Sequence, residues 1–531
     1  MSETMALWGV LPAELRLMIL EIVADDFTFR SDKKARAGYA TVCREWQYFF
    51  EPFNFEHLVF DQTRINQFAR HVGNGEAERA MRRQTYVKAI SFRVKLDNYK
   101  CKTCRLEETQ IIMGKNRSTF TRAILRLLAI LSNWPQIIPS YRKGITLDIG
   151  VYSPSDCRHQ FRDFHLDEVY PMQEVRDVFA DPLWEAYTEH KARRGLATLD
   201  DSHHSWSNGQ RSYIPLTSRL RLTREMSLSF NLPQFKSSQT LPQVPAVDEL
   251  VIRRQFYWQI APDTLRKLLE SFTCLVSFRH EGWQRPTMAR QQDFVKAYKT
   301  LISRGLPVSL RNLHLFQDSN RDLNPSIVPQ IVITPNRGLG KTLARASKSL
   351  EVLSAAFVVD AIDFFDGFCP LTAPKTLEPP APWENLHNLI LTAKMLHPKM
   401  SMRHAHPPLL LAAGHAAAFM PKLVLMQLWN GGEGNACIYQ YTWKSESGTA
   451  TLWLSANSLL KSVRSILDNG SPVYNTWSES LRKTRGLPYG DLKTGADRIQ
   501  RKPSDIKTCV VAATHSHGGR HVLWHVLHPI S

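Results

Sequence analysis

The chain has 531 residues, of which 43% are hydrophobic and 10% aromatic, with a formal net charge of +18. This composition is typical of folded domains and excludes a chain that is disordered throughout, while a strongly basic balance fits a nucleic acid, an acidic partner or an anionic surface. No apolar run approaches the roughly 20 residues that cross a bilayer, and no secretory signal pattern is visible, so no membrane partner is expected. Eight cysteines in a chain of this length indicate free thiols, and we expect a cytoplasmic or nuclear protein.

The first fifty residues contain two segments with helical periodicity. In the first segment Leu15, Met18 and Ile22 recur at the spacing of one helix face, and a second segment with the same property covers residues 35–50. A short helix that is apolar over most of its circumference needs cover on two sides, and a partner helix can provide one of them. The pattern alone favours an ordinary helical pair at the start of a core.

These segments resemble an F-box, and in particular the F-box proteins of filamentous fungi. The shared features are Leu-Pro-x-Glu-Leu at residues 11–15, Ile-Leu at 19–20 and Val-Cys-Arg-x-Trp at 42–46, with further likeness at 49–60, 99–104 and 152–156. The resemblance implies the substrate-recognition subunit of a cullin-based (SCF-type) E3 ubiquitin ligase. Such a subunit binds a Skp-type adaptor through the F-box and a protein substrate, unknown here, through the rest of the chain.

The resemblance also assigns the parts of the module. It implies an F-box-like helical module over residues 1–60, and no catalytic residue or cofactor is expected in such a receptor. The residues implied to bind the adaptor are Leu11, Pro12, Leu15, Ile19, Leu20, Val42, Cys43 and Trp46. Some of these must belong to the module's own core, and the sequence does not separate the two sets. The gap between Leu20 and Val42 is longer than in most F-boxes.

A strand-like pattern, apolar-x-x-apolar-x-apolar, returns along the middle of the chain with helical patterns between its copies. Its central positions are Leu250, Phe278, Leu313, Leu353, Leu389 and Met426. This alternation predicts an α/β fold, namely an irregular leucine-rich-repeat-like solenoid over residues 61–435, with strands at 55–60, 87–92 and 145–149 joining the same sheet. An unrelated α/β domain with chance spacing is the alternative. Polar, turn-rich residues from about 155 to 246 predict an inserted loop.

The pattern changes after Asn435. Alternating residues at 437–443 and 449–453 flank a turn at 445–448 and predict a β-hairpin, and further strands are expected at 509–513 and 521–527. We therefore expect a β-rich C-terminal cap over residues 436–531 that covers the open end of the solenoid.

Three motifs suggest ligand chemistry. Residues 338–342, Gly-Leu-Gly-Lys-Thr, are similar to part of a phosphate-binding loop, but Pro335 stands where that loop needs a backbone N–H, so a loop leading into a helix is favoured. Cys101 and Cys104 have the spacing of a zinc-binding pair, with Cys157, His159 and His165 as the nearest further ligands, yet no second close pair exists and no metal is predicted. Five histidines between 515 and 528 lack the carboxylate signature of a metalloenzyme and are expected at a surface or interface.

Three alternatives to a ligase receptor remain. One is a basic protein that binds nucleic acid, for which the charge and exposed aromatics such as Trp283 and Trp429 would supply the contacts. The basic residues are scattered in twos and threes, for example at 82–83, 191–194, 253–254 and 498–502, which favours solvated faces over a binding stripe. The second is an enzyme that uses the C-terminal histidines or residues 338–342, and it would require a bound metal or nucleotide. The third is an F-box protein that acts outside the ligase.

Overall fold

The computed structural model describes most of the chain. The described ranges are 8–25, 33–73, 78–134, 144–156, 158–162, 198–230, 240–254, 256–319, 322–325, 337–368, 381–396, 402–432, 435–447, 449–456, 472–485 and 492–498. The predicted strands at 509–513 and 521–527, the C-terminal histidines, and Cys157, His165 and Pro335 lie outside these ranges. None of the helices in the described ranges combines the length and the hydropathy that a membrane span requires.

Strands and helices alternate along most of the chain. The strands are β1 (His57–Phe60), β2 (Ala89–Lys95), β3 (Ile145–Tyr152), β4 (Trp206–Ser207), β5 (Gln210–Arg211), β6 (Glu225–Met226), β7 (Val247–Ile252), β8 (Gln259–Ile260), β9 (Ser277–Trp283), β10 (Asn312–Asp318), β11 (Val352–Ala356), β12 (Asn388–Thr392), β13 (Leu425–Gly432), β14 (Asn435–Lys444), β15 (Thr449–Ala456) and β16 (Leu492–Arg498). The α-helices are α1 (Ala13–Asp25), α2 (Lys33–Tyr39), α3 (Arg44–Phe55), α4 (Ile65–Phe68), α5 (Glu78–Tyr86), α6 (Gln110–Leu131), α7 (Leu216–Leu222), α8 (Pro262–Ser271), α9 (Met288–Arg304), α10 (Arg337–Ala346), α11 (Ala361–Phe364), α12 (Met402–Ala417) and α13 (Pro472–Arg485).

Twelve of these strands form one sheet in the order β1-β2-β3-β7-β9-β10-β11-β12-β13-β14-β15-β16. Neighbours from β1 to β13 run parallel, β13, β14 and β15 run antiparallel, and β16 is again parallel to β15. Parallel neighbours cannot be joined by a tight turn, and helices such as α6, α8, α9, α10 and α12 make the crossovers.

One row of apolar side chains crosses the sheet in register. Its members, each fully buried, are Ile90, Leu147, Leu250, Phe278, Leu313, Leu353, Leu389 and Met426. Helix residues such as Leu265, Leu301 and Leu343 belong to the same core cluster and cover this face of the sheet. Because successive strand residues point to opposite faces, the other face carries polar neighbours such as His314, Ser354 and Gln427. It also carries a small apolar cluster that includes Phe316 and Trp429.

The fold class predicted from the sequence is wrong. The structure is an α/β fold on one large, mostly parallel sheet, and it is not a helical F-box followed by a leucine-rich-repeat-like solenoid with a separate cap. Strand β1, in the N-terminal segment, pairs with β2, and β14 and β15 extend the same sheet instead of covering its end. The spacing of strands and helices identified the elements, but it does not define how they are arranged. The domain boundaries remain predictions.

Several local predictions are confirmed. The six central positions of the repeated pattern all lie in sheet strands, and β14 and β15 form the expected antiparallel hairpin. Residues 338–342 lie inside helix α10, as the loop-to-helix interpretation had it. Within the predicted inserted loop, the described residues form the short strands β4, β5 and β6 and helix α7.

Candidate functional site

The N-terminal helices form a small cluster of their own. Leu20 of α1 and Phe50 of α3 are its buried centre, and Tyr39 and Trp46 pack against them. The rings of Trp46 and Phe50 lie 5.5 Å apart, within the range of favourable aromatic pairs. Helices α1 and α3 are therefore held together by packing that does not involve the main core.

A carboxylate on α3 ties the two helices further. Glu45 accepts hydrogen bonds from Trp8 Nε1 at 2.7 Å and from Arg16 Nε at 2.9 Å. The bond from Trp8, followed by the bond and charge of Arg16, holds the pKa of Glu45 below its usual value despite slight desolvation. The orientation of α1 is thus fixed from its first turn.

A second carboxylate joins this module to the sheet region. Glu51 of α3 is buried and accepts hydrogen bonds from Arg83 and Arg82 of α5, with Arg83 Nε at 3.1 Å from Oε1. Burial alone would raise the pKa of Glu51, but the bonds from Arg83, Gln47 and Arg82 outweigh it, and the pKa lies below its usual value. The positive charges of Arg82 and Arg83 are therefore paired with a carboxylate of the same molecule.

The outer face of α1 is apolar and exposed. Leu15, Met18 and Ile22 are 45%, 54% and 69% exposed, and their spacing of three and four residues places them on one side of the helix. Val42, just before α3, is 45% exposed. Single exposed apolar residues are common, but a row of them on one short helix is a candidate contact surface. We call Leu15, Met18, Ile22 and Val42 the apolar face of the module.

The structure distributes the eight residues implied to bind the adaptor among three environments. Pro12, Leu15 and Val42 are exposed, Leu11, Ile19 and Cys43 are partly buried, and Leu20 and Trp46 pack in the internal cluster. Met18 and Ile22 were missing from that set. The helical spacing from Leu15 was the signal that could have included them.

A cluster of two cysteines and two histidines lies at the carboxyl ends of β2 and β3. Each residue of the cluster offers one ligand atom, and these four atoms all lie within 4.8 Å of one another. The residues are Cys101, Cys104, His159 and His204. Cys101 Sγ is 3.4 Å from His204 Nε2, and the two imidazole rings have centroids 5.3 Å apart. The sequence pointed to the cysteine pair and named His159 as a neighbour, but it did not identify His204.

Three chain segments build this cluster. Cys101 and Cys104 lie on one tight turn, in which the Cys104 N–H donates to the Cys101 carbonyl at 3.1 Å. The segment with His159 is tied to the same loop because Ser155 Oγ both accepts from the Tyr99 N–H and donates to the Tyr99 carbonyl, each at 3.0 Å. Parallel strands β2 and β3 end at the same edge of the sheet, which places the two loops side by side.

The third segment is a short 3₁₀ turn, Ser202–His204, whose preceding residue orients the histidine. Asp201 Oδ2 lies 2.8 Å from His204 Nδ1, and Arg162 Nη2 pairs with the same oxygen at 2.6 Å. With Nδ1 engaged by a carboxylate, Nε2 is the ring nitrogen that faces Cys101. A carboxylate behind a histidine is the arrangement that metal-binding histidines commonly have.

Burial affects two of the four ligand groups. Desolvation is the main cause that raises the pKa of the Cys104 thiol, and the neighbouring Cys101 adds to it. Desolvation also lowers the pKa of His159, and the nearby His204 contributes in the same direction. Together, the fold and these two features define an α/β protein with an exposed apolar helix face and a convergent Cys₂His₂ cluster.

Comparison with known proteins bears on a different part of the chain. Residues 305–514 match the model of a family of unknown function, DUF6546, so the chain is similar to that family over this segment, which is less than half of its length. The segment includes neither the apolar face nor the Cys₂His₂ cluster. No curated protein matches the chain.

Proposed function

We propose that this protein is the substrate-recognition subunit of a cullin-based (SCF-type) E3 ubiquitin ligase, with the apolar face as the surface that binds a Skp-type adaptor. The observation that carries the proposal is the exposure of Leu15, Met18, Ile22 and Val42 on a helical pair whose sequence resembles an F-box. An adaptor helix laid on this face would remove these side chains from water. The α/β region would then hold the substrate.

The contacts that hold the helices of the module together lie inside it, so the apolar face can stay exposed until a partner binds. Leu20 and Phe50 are buried inside it, and Glu45 and Glu51 fix its helices by hydrogen bonds. The outer side chains are therefore not needed to fold the module. In this function no residue of the chain performs chemistry, because tethering raises the effective concentration of substrate lysines near the ubiquitin-carrying enzyme.

The experiment is reconstitution of purified full-length chain with a Skp-type adaptor and a cullin. In the variant Leu15→Glu/Met18→Glu, two charges replace exposed side chains of the apolar face, and we expect loss of adaptor co-purification with an unchanged unfolding midpoint. The matched control is Ile111→Glu/Ile112→Glu on α6, where two adjacent isoleucines are 84% and 41% exposed. The control variant should bind the adaptor like the unmodified chain.

Each outcome has a defined meaning. Adaptor binding that survives the double substitution, or an unmodified chain that does not bind the adaptor, rejects the proposal. Adaptor binding without recruitment of the cullin would indicate an F-box protein that acts outside the ligase.

The nucleic-acid alternative loses part of its support in the structure. Trp283 and Trp429 are buried, and Trp283 Nε1 donates to the Arg254 carbonyl at 2.6 Å, so the expectation that these rings are exposed is wrong. Arg253 and Arg254 pair with Asp148 and Asp318. These aromatic rings are not available for stacking on bases, and part of the positive charge is neutralised internally.

A further inference from the structure

We propose that Cys101, Cys104, His159 and His204 bind one zinc ion in a closed, tetrahedral structural site. Their ligand atoms converge within 4.8 Å of one another, from three separate segments of the chain. Zinc bonds of about 2.3 Å to sulfur and about 2.1 Å to nitrogen place tetrahedral ligand atoms about 3.4 to 3.8 Å apart. The distance of 3.4 Å between Cys101 Sγ and His204 Nε2 lies at the lower end of this range without any movement of the two side chains.

The surrounding residues hold the ligands in position. The Cys101–Cys104 turn is fixed from α7, since Ser218 Oγ donates to the Cys104 carbonyl at 3.0 Å and Arg221 Nη1 donates to the Thr103 carbonyl at 2.7 Å. Asp201 orients His204 through Nδ1, and Arg162 in turn holds Asp201. Such outer contacts are a regular part of protein zinc sites because they set the direction of each ligand before the metal arrives.

The ligand set indicates a structural site and not a catalytic one. Two thiolates and two imidazoles occupy all four positions of tetrahedral zinc and leave none for water or a substrate. The ion would join the loop after β2, the loop after β3 and the turn that precedes β4. Two thiolates balance the charge of the divalent ion, which allows Cys104 and His204 to be buried around it.

A disulfide between Cys101 and Cys104 is the competing explanation for the cysteine pair. A redox pair has no need of two histidines, whereas both His159 and His204 converge on the sulfur atoms and one of them is aligned by a carboxylate. The four-residue convergence therefore favours metal over a disulfide. This inference does not depend on the ligase proposal, because residues of the apolar face take no part in it.

The test uses untagged full-length protein purified without chelator. Elemental analysis should find about one zinc per chain, and a thiol-specific mercurial should release that zinc. Cobalt substituted for zinc should give the intense visible absorption of tetrahedral coordination together with a sulfur-to-cobalt charge-transfer band. These spectra are recorded on the unmodified protein, so they test the site even if a ligand variant does not fold.

Two single variants locate the ion. Cys101→Ser and His159→Ala each remove one ligand at a position that is not fully buried, and both should lose the zinc or hold it far more weakly. The control is Cys274→Ser, which changes a partly buried cysteine outside the cluster and should keep the full zinc content. No zinc and no cobalt absorption in the unmodified chain would overturn the proposal, as would a Cys101–Cys104 disulfide found by mass spectrometry. Zinc retained at full affinity in both ligand variants would also overturn it.

Discussion

The carboxyl group of Asp360 should make the stability of the fold depend on pH. Asp360 precedes helix α11, is 7% exposed, and accepts hydrogen bonds from the Ile362 N–H at 3.2 Å and the Lys394 N–H at 3.4 Å. Burial raises the pKa of Asp360 from its usual 3.8 to about 6, against the lowering effect of the Ile362 bond, and the charge of Asp363 adds to the rise. At a pH between 3.8 and about 6, Asp360 therefore keeps a proton in the folded chain that it has lost in the unfolded chain.

The sign and size of the effect follow from this difference. The contribution is fully present below the unfolded pKa and is lost as pH rises through about 6, because the native carboxyl must then ionise in a buried place. The difference of about two pKa units corresponds to about 3 kcal/mol in total, of which about 2 kcal/mol falls between about pH 4.5 and pH 7.5.

The variant Asp360→Asn cannot ionise at this position. Urea unfolding of both proteins across this pH range should show the variant gaining about 2 kcal/mol relative to the unmodified chain as pH rises. A relative stability that stays flat with pH, or falls, would refute the reasoning about Asp360.

Asp366→Asn provides a control of opposite sign. Burial tends to raise the pKa of Asp366, but the bonds from Lys341 and Arg337 outweigh it and hold the pKa below its usual value. The ionised carboxyl therefore stabilises the fold above the unfolded pKa of 3.8, and this contribution is lost as pH falls through the lower native pKa. Asp366→Asn should lose stability relative to the unmodified chain as pH rises through that acidic window, and the difference should stay flat above about pH 5.

Two further predictions use pairs of matched substitutions. Gly340→Ala would place a Cβ atom 2.6 Å from the Cβ of Asp363 and force α10 and α11 apart, so thermal unfolding should report a loss of about 1–3 kcal/mol. Gly114→Ala in α6 meets no atom within 4 Å and should instead gain about 0.5–1 kcal/mol; a loss there would contradict the packing argument. Leu15→Ala should weaken adaptor binding by about 1–2 kcal/mol in calorimetry and leave unfolding unchanged. Leu20→Ala should cost about 2–4 kcal/mol of stability, and equal effects of both leucines on unfolding would refute the division into outer and inner faces.

The sequence predicted the sheet strands more accurately than the fold. Leu250, Leu313 and Leu389 repeat an apolar spacing that is typical of buried strands, and all three lie in one row of the sheet. What failed was the assembly of these strands into a solenoid with a cap. Hydrogen bonding between β13, β14 and β15 is a contact between backbones, and no side-chain pattern distinguishes a strand that extends a sheet from one that covers its end.

The sequence predicted only part of the Cys₂His₂ cluster, because the arrangement of the strands decides which loops meet. Cys101 and Cys104 are close in sequence, so their spacing alone shows that the two thiols can meet. His204 reaches the cluster through a turn in which Asp201 accepts from the His204 N–H, and the short run Asp-Ser-His-His contains that turn signal. Nothing local indicates that this turn lies beside the loops after β2 and β3, because the pairing of those strands decides it.

Some of the arginines that make the chain basic are paired inside the fold, and each such pair leaves the net charge of +18 unchanged. Arg224 pairs with Glu108, Arg253 with Asp148 and Arg285 with Glu225, and all three arginine side chains are largely buried. Removing one partner of such a pair leaves a buried charge unpaired, so replacing one of these arginines alone should destabilise the fold. Each carries its positive charge into the interior and not to a surface. A count of basic residues therefore overstates how many arginines can contact a partner, since Arg253 and Arg285 are committed to carboxylates of this chain.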